Sequence, residues 1–156
     1  MGAGAEKTII LVDDSPDDVQ LFLRVCTQVG INNPIVTFDG ADAALEYLTS
    51  SGNPLPGIVV LDLKMPGRDG FYALAQLKAH PLLKQLVVIV LTTSSQTSDI
   101  RRAYEMGANS FLTKPLELAE FREMVTAFHD HWLVKARIPL PATMAAPARQ
   151  TSPTMP

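Results

Sequence analysis

The chain has 156 residues, 47% of them hydrophobic, which is enough for one domain with a real core. A formal charge of -3 with no basic run excludes the electrostatic footprint of a nucleic-acid binder and the polybasic anchor of a membrane-surface protein. Cys26 is the only cysteine, so no internal disulfide can form, and no stretch has the pattern of a signal peptide or a membrane span; a cytoplasmic protein is expected.

Residues 1–7 read as a flexible end. Gly2, Ala3, Gly4 and Ala5 look like the start of a glycine-rich nucleotide loop, but no strand precedes them and the spacing is incomplete. Residues 8–12 form a β-type apolar run that stops at Asp13 and Asp14. Ser15 and Pro16 are an N-cap and first-turn pair, with Asp17 and Asp18 placed to suit a helix dipole. Val19, Phe22, Leu23, Cys26 and Val29 then recur at helical spacing up to Gly30, and Cys26 reads as a buried small hydrophobe. A second strand is expected over 34–38, followed by a helix capped by Asp39 that carries Ala41, Ala44, Leu45 and Leu48.

Ile58, Val59, Val60 and Leu61 have the unbroken apolar character of a strand covered on both faces, and the run ends in Asp62. Pro66 and Gly67 turn the chain, and Asp69-Gly70 leads a helix with Phe71, Leu74 and Leu77 that ends before Pro81. Residues 87–91 are the most apolar strand and end in Thr92, Thr93, Ser94 and Ser95. A fourth helix carries Ile100, Ala103, Tyr104 and Met106. A fifth strand over 110–113 delivers Lys114-Pro115, and a last helix carries Leu118, Phe121, Val125, Phe128 and Trp132. This alternation predicts one α/β domain over 8–135, a doubly wound parallel sheet of five strands with helices on both faces. From 136 to 156, prolines spread among small and polar residues predict a disordered tail.

A parallel sheet brings all its strand ends to one edge, so Asp13, Asp14, Asp62, Thr92 and Lys114 should meet there. Three carboxylates in one place repel each other and favour a hard cation, and oxygen-only ligation suits Mg²⁺. Lysine and threonine supply the donors that would hold phosphoryl oxygens beside it. Aspartate is a known phosphoryl acceptor, so the chemistry indicated is Mg²⁺-assisted transfer of a phosphoryl group to Asp62.

These residues resemble the motif set of a known family, the receiver domain of two-component response regulators. The resemblance covers residues 7 to about 132. It is carried by Asp13 and Asp14, by Asp62 in Asp62-Leu63-Lys64-Met65-Pro66-Gly67, and by Thr92, Phe111 and Lys114-Pro115. It implies a flavodoxin-like sheet of order 2-1-3-4-5. Asp62 would take phosphate from a histidine kinase. Mg²⁺ would be held directly by Asp14, Asp62 and the backbone carbonyl of Lys64, and through water by Asp13. Lys114 and Thr92 would contact the phosphoryl group, and the Lys114-Pro115 bond would be cis. The resemblance also implies a switch in which Thr92 moves, Phe111 turns inward, and the face made by helix four, strand five and helix five changes.

Many relatives have tyrosine where Phe111 stands, and alanine or glycine where Thr93 stands. Lys64 and Ser94 occupy positions that tune hydrolysis in the family. The Leu91-Thr92-Thr93-Ser94-Ser95 run, the His80-Pro81 loop and His131-Trp132-Leu133 are similar to single-domain regulators partnered with bacterial and cyanobacterial phytochromes. The aromatics of the last helix, with Tyr104, Met106 and Phe111 near the same face, point to a homodimer. His80, His129 and His131 read as solvated surface residues rather than metal ligands. The expected protein is a signalling switch rather than an enzyme. A Mg²⁺-dependent phosphohydrolase with an aspartyl nucleophile is the alternative, although Asp13-Asp14-Ser15 lacks the Asp-x-Asp arrangement such hydrolases use. A flavin-binding module would need a phosphate cradle where this chain places two aspartates.

Overall fold

The computed structural model describes residues 7–139. Its strands are β1 (Ile9–Val12), β2 (Ile35–Phe38), β3 (Ile58–Leu61), β4 (Val87–Thr92) and β5 (Ser110–Thr113). Between and after them run α1 (Pro16–Gln28), α2 (Ala41–Thr49), α3 (Gly70–Ala79), α4 (Thr97–Glu105) and α5 (Leu118–Phe128), with a short 3-10 turn at Leu83–Gln85. All pairings are parallel, and the strand order is β2-β1-β3-β4-β5, as the resemblance implies. Glycine-rich residues 2–5 and most of the proline-rich stretch, 140–156, lie outside the described residues.

Every residue of β1, β3 and β4 is buried, which explains why these segments read as continuous apolar runs rather than alternating ones. Period-two geometry still sorts them between two cores. Ile10, Val12, Val59, Leu61, Val88 and Val90 face α2, α3 and α4, packing on Ala44, Leu48, Leu74 and Leu77. Ile9, Leu11, Ile58, Val60, Ile89 and Leu91 face α1 and α5, packing on Phe22, Val25, Phe121 and Val125. Cys26 is buried in this second core, and burial pushes its thiol up to about 12, so it behaves as a small hydrophobe. The edge strands β2 and β5 are only half covered.

The helix starts follow the local chemistry, with one exception. Ser15 caps α1, its hydroxyl accepting from the Asp18 amide at 3.3 Å, and Pro16 occupies the first turn. Asp69 caps α3 by accepting from the Tyr72 amide at 3.0 Å. The expected Asp39 cap is not formed: Gly40 occupies the N-cap of α2 with no side-chain bond, because Asp39 lies one residue too early to reach the first-turn amides. The last helix also departs from expectation. The α-helix stops at Phe128 and the chain widens into a π-helical turn, His129–Lys135, that carries Trp132. Two contacts fix this turn from across the molecule: the Lys7 ammonium donates to the Trp132 carbonyl at 2.7 Å and to the Ala136 carbonyl at 2.9 Å. No described helix is long and apolar enough to cross a membrane.

Candidate phosphoryl-transfer site

The sheet delivers its polar residues to one edge. Asp13 and Asp14 follow β1, Asp62 follows β3, Thr92 closes β4 and Lys114 follows β5. The exits are stitched together by the backbone: the Asp62 amide donates to the Val12 carbonyl at 2.9 Å, and the Lys114 amide to the Thr92 carbonyl at 2.7 Å. Asp13 and Asp62 are buried and Asp14 is half-buried, and one carboxylate oxygen from each lies within 4.8 Å of the others. The loop after Asp62 comes back close to it. Gly67 takes φ +75°, and Gly70 sits so tightly under Asp62 that a Cβ there would collide with the Asp62 carbonyl oxygen.

Lys114 lies across this cluster. Its ammonium is 2.8 Å from Asp13 Oδ2, 2.8 Å from Asp18 Oδ2 and 3.3 Å from Asp62 Oδ2, and its side chain is only 9% exposed. Burial by itself disfavours the charged lysine. The hydrogen bonds to Asp13 and Asp18 and the charges of Asp62 and Asp13 outweigh that cost, so its pKa is raised and it stays a cation. For Asp13, burial prevails over the opposing bonds from Lys114 and the Ser15 amide and holds its carboxyl above the usual range, with Asp62 adding repulsion. The site therefore carries more negative charge than one lysine balances.

The chemistry of the donor set suits a hard divalent cation, since the carboxylates present converging oxygens and no softer ligand. Two of those oxygens are already oriented. Asp13 Oδ1 accepts from the Ser15 amide at 3.0 Å and Asp62 Oδ1 from the Lys64 amide at 3.2 Å. A second observation concerns the incoming group: the Thr92 hydroxyl is fully buried and has no hydrogen-bond partner among the described residues. A buried hydroxyl without a partner costs about 1–3 kcal/mol. A phosphoryl oxygen on Asp62 is the kind of acceptor that would satisfy it.

The other residues singled out in the sequence fall in different places. Phe111 is half-buried against the first core, and its amide donates to the Tyr104 hydroxyl at 3.0 Å. Thr93 is exposed, as is the Lys64 side chain. The Ser94 hydroxyl is occupied, donating to Asp99 Oδ2 at 2.6 Å and accepting from the Gln96 amide at 3.2 Å. His80 Nδ1 accepts from the Leu82 and Leu83 amides, a local structural role, while His131 is exposed and stacks edge-on against Trp132. Phe128 is buried and Trp132 half-buried in the chain's own second core, so these aromatics are not free for a partner.

Two points correct the sequence reading. The Lys114-Pro115 bond is trans, as are all peptide bonds among the described residues. The lysine needs no cis bond to point inward, because its amide is tied to Thr92 and three carboxylates hold its ammonium. Asp18 was expected only to complement the helix dipole, yet it is one of the nearest partners of Lys114. Its place in the first turn of α1, one turn beyond Asp14, was the available signal.

The fold and the site define a receiver-type signalling domain, and comparison with known proteins agrees. Residues 9–126 match the response regulator receiver domain family, and the chain belongs to it. It is 37% identical over 137 residues to the probable methanogenesis regulatory protein FilR2 of Methanothrix harundinacea, covering 86% of this chain and 88% of the relative. It is 34% identical over 137 residues to the response regulator Rcp1 of Synechocystis sp., covering 85% and 93%. The crystal structure of Mn²⁺-bound Rcp1 superposes with a TM-score of 0.79 at 34% identity, over 85% of this chain and 99% of that one. The phosphorylated cyanobacterial phytochrome response regulator RcpA superposes with a TM-score of 0.81 at 32% identity, over 86% and 99%. Relatives of this kind are signalling proteins, and nothing in them favours the phosphohydrolase alternative.

Proposed function

We propose that Asp62 is the phosphoacceptor of this response regulator and that a histidine kinase supplies the phosphoryl group. The observation that carries the reading is the contact of the Lys114 ammonium with Asp13 and Asp62, two of the three acids whose oxygens converge. Asp13, Asp14, Asp62 and the backbone carbonyl of Lys64 would hold Mg²⁺. Bound there, the ion would neutralise the carboxylates and polarise the phosphoryl oxygens. Lys114 and the Thr92 hydroxyl then orient the phosphoryl oxygens from the protein side, and the buried position of Asp62 limits access of water.

The output follows from what Thr92 and Phe111 touch. Drawing the Thr92 hydroxyl toward a phosphoryl oxygen frees space for Phe111, whose amide is tied to Tyr104 on α4. The face made of α4, β5 and α5 is then the signalling surface. Its exposed Tyr104 and Leu118 are the apolar groups available for self-association, which sedimentation of the phosphorylated protein measures. Similarity to Rcp1 and RcpA supports a phytochrome as the kinase partner.

Incubation with Mg²⁺ and acetyl phosphate followed by intact-mass measurement tests the assignment. The wild type gains one phosphoryl group and Asp62→Asn gains none. No gain in the wild type, or equal gain in the variant, rejects it.

A further inference from the structure

We propose that Asp18 is a positioning residue for Lys114, holding the ammonium at the site when Asp13 and Asp62 turn to a divalent cation. The inference rests on the metal-binding reading given above and adds a residue that neither composition nor motif assigns to the chemistry.

A lysine ammonium has three N–H donors, and here each meets a carboxylate, from Asp13, Asp18 and Asp62. Two of these partners belong to the acid cluster whose oxygens lie within 4.8 Å of one another, whereas Asp18 does not. With a dication held there, Asp13 and Asp62 would turn their lone pairs to it and the ammonium beside them would be repelled. Among the described residues, Asp18 is then the one carboxylate partner left to Lys114.

The placement of Asp18 is fixed by the same short segment that carries the metal acids. Its amide is held by the Ser15 cap, the Ser15 amide is held by Asp13 Oδ1, and Pro16 restricts the backbone between them. Asp17, exposed in the same turn, already complements the helix dipole. The Asp18 carboxylate instead reaches across 96 positions of sequence to a lysine that is almost fully covered. Surface ion pairs contribute little because both partners are solvated. Here only the Asp18 end is open, at 41% exposure, against 9% for Lys114.

The test compares wild type, Asp18→Asn and Asp18→Glu by two readouts. One is the acylation rate of Lys114 by an amine-reactive ester, followed by peptide mass spectrometry with and without Mg²⁺. The other is the rate of phosphorylation by acetyl phosphate at saturating Mg²⁺. Without Mg²⁺, Asp13 and Asp62 still hold the lysine, and all three proteins label slowly. With Mg²⁺, Lys114 of Asp18→Asn labels about tenfold faster than wild type and phosphorylation slows by a similar factor, as expected for loss of one charge-assisted hydrogen bond. Asp18→Glu restores part of both. Calorimetric titration of Mg²⁺ separates the two readings. If the wild type binds no Mg²⁺, the metal site and this inference both fall. If it binds Mg²⁺ but Asp18→Asn labels no faster with the ion than wild type does, or labels fast even without it, only the positioning role is overturned.

Discussion

Thr92 shows how one side chain separates stability from chemistry. Its hydroxyl is buried at the end of β4 with no partner among the described residues, a state that opposes folding rather than favouring it. Replacing it with valine keeps the branched shape and removes the unpaired group, so Thr92→Val should unfold at the same denaturant midpoint as wild type or higher, by up to about 1 kcal/mol. The same change deletes the donor that the proposed function assigns to the phosphoryl group, and under that reading phosphorylation by acetyl phosphate should slow at least about tenfold. Equilibrium unfolding and intact-mass kinetics on one preparation check both halves. A variant that is less stable and equally reactive would make Thr92 an ordinary core residue.

Among the elements, α1 reaches the acidic edge directly through Asp18, and α4 reaches it through Ser94. α4 begins at Thr97, five residues after Thr92, and Ser94 joins the two: its hydroxyl donates to Asp99 in the first turn and accepts from the Gln96 amide, while its carbonyl accepts from the Thr113 hydroxyl of β5. Gln96 at the N-cap makes no side-chain bond, and Ser94 instead ties the residue before the helix to the Asp99 side chain in its first turn. Ser94→Ala should cost about 1 kcal/mol, lower the melting temperature by about 3 °C and speed amide exchange in the first turn of α4. Exchange unchanged there would remove Ser94 as the link.

Elements of this kind also show where sequence patterns stop. The exits of β1 and β3 were legible because a buried apolar run ends abruptly in Asp13 or Asp62, whereas Lys114 follows the half-covered edge strand β5 and was legible only through the alternation that places β5 beside β4. Asp18 was not legible as a site residue, since a carboxylate in a first helical turn is already explained by the dipole. The π-helical turn was hidden for a different reason: Phe128 and Trp132 keep helical spacing, and the carbonyls that break the pattern are held by Lys7, far away in sequence.

At the scale of the whole molecule, the parallel sheet has two edges with opposite duties. The carboxyl ends of the strands collect the acids, Thr92 and Lys114. The amino ends carry the closure of the fold, where Lys7 precedes β1, accepts from the Asn33 side chain at 2.8 Å through its carbonyl, and clamps the turn after α5 with its ammonium. Burial lowers the Lys7 pKa, but two carbonyls at a helix end are favourable partners for a cation. A strand of four residues separates the edges by about 13 Å, beyond the reach of direct contact. Lys7→Met keeps the apolar stem and removes the charge. It should lower stability by about 1 kcal/mol, because the ammonium is only partly covered. Trp132 is the only tryptophan, so its emission should shift to longer wavelength as the released turn exposes it. Phosphorylation of Asp62 should proceed at the wild-type rate, since nothing in the acid cluster touches this edge. A Lys7→Met protein with unchanged tryptophan emission would show that the turn after α5 holds itself, and one with slowed phosphorylation would show that the two edges are coupled through the cores.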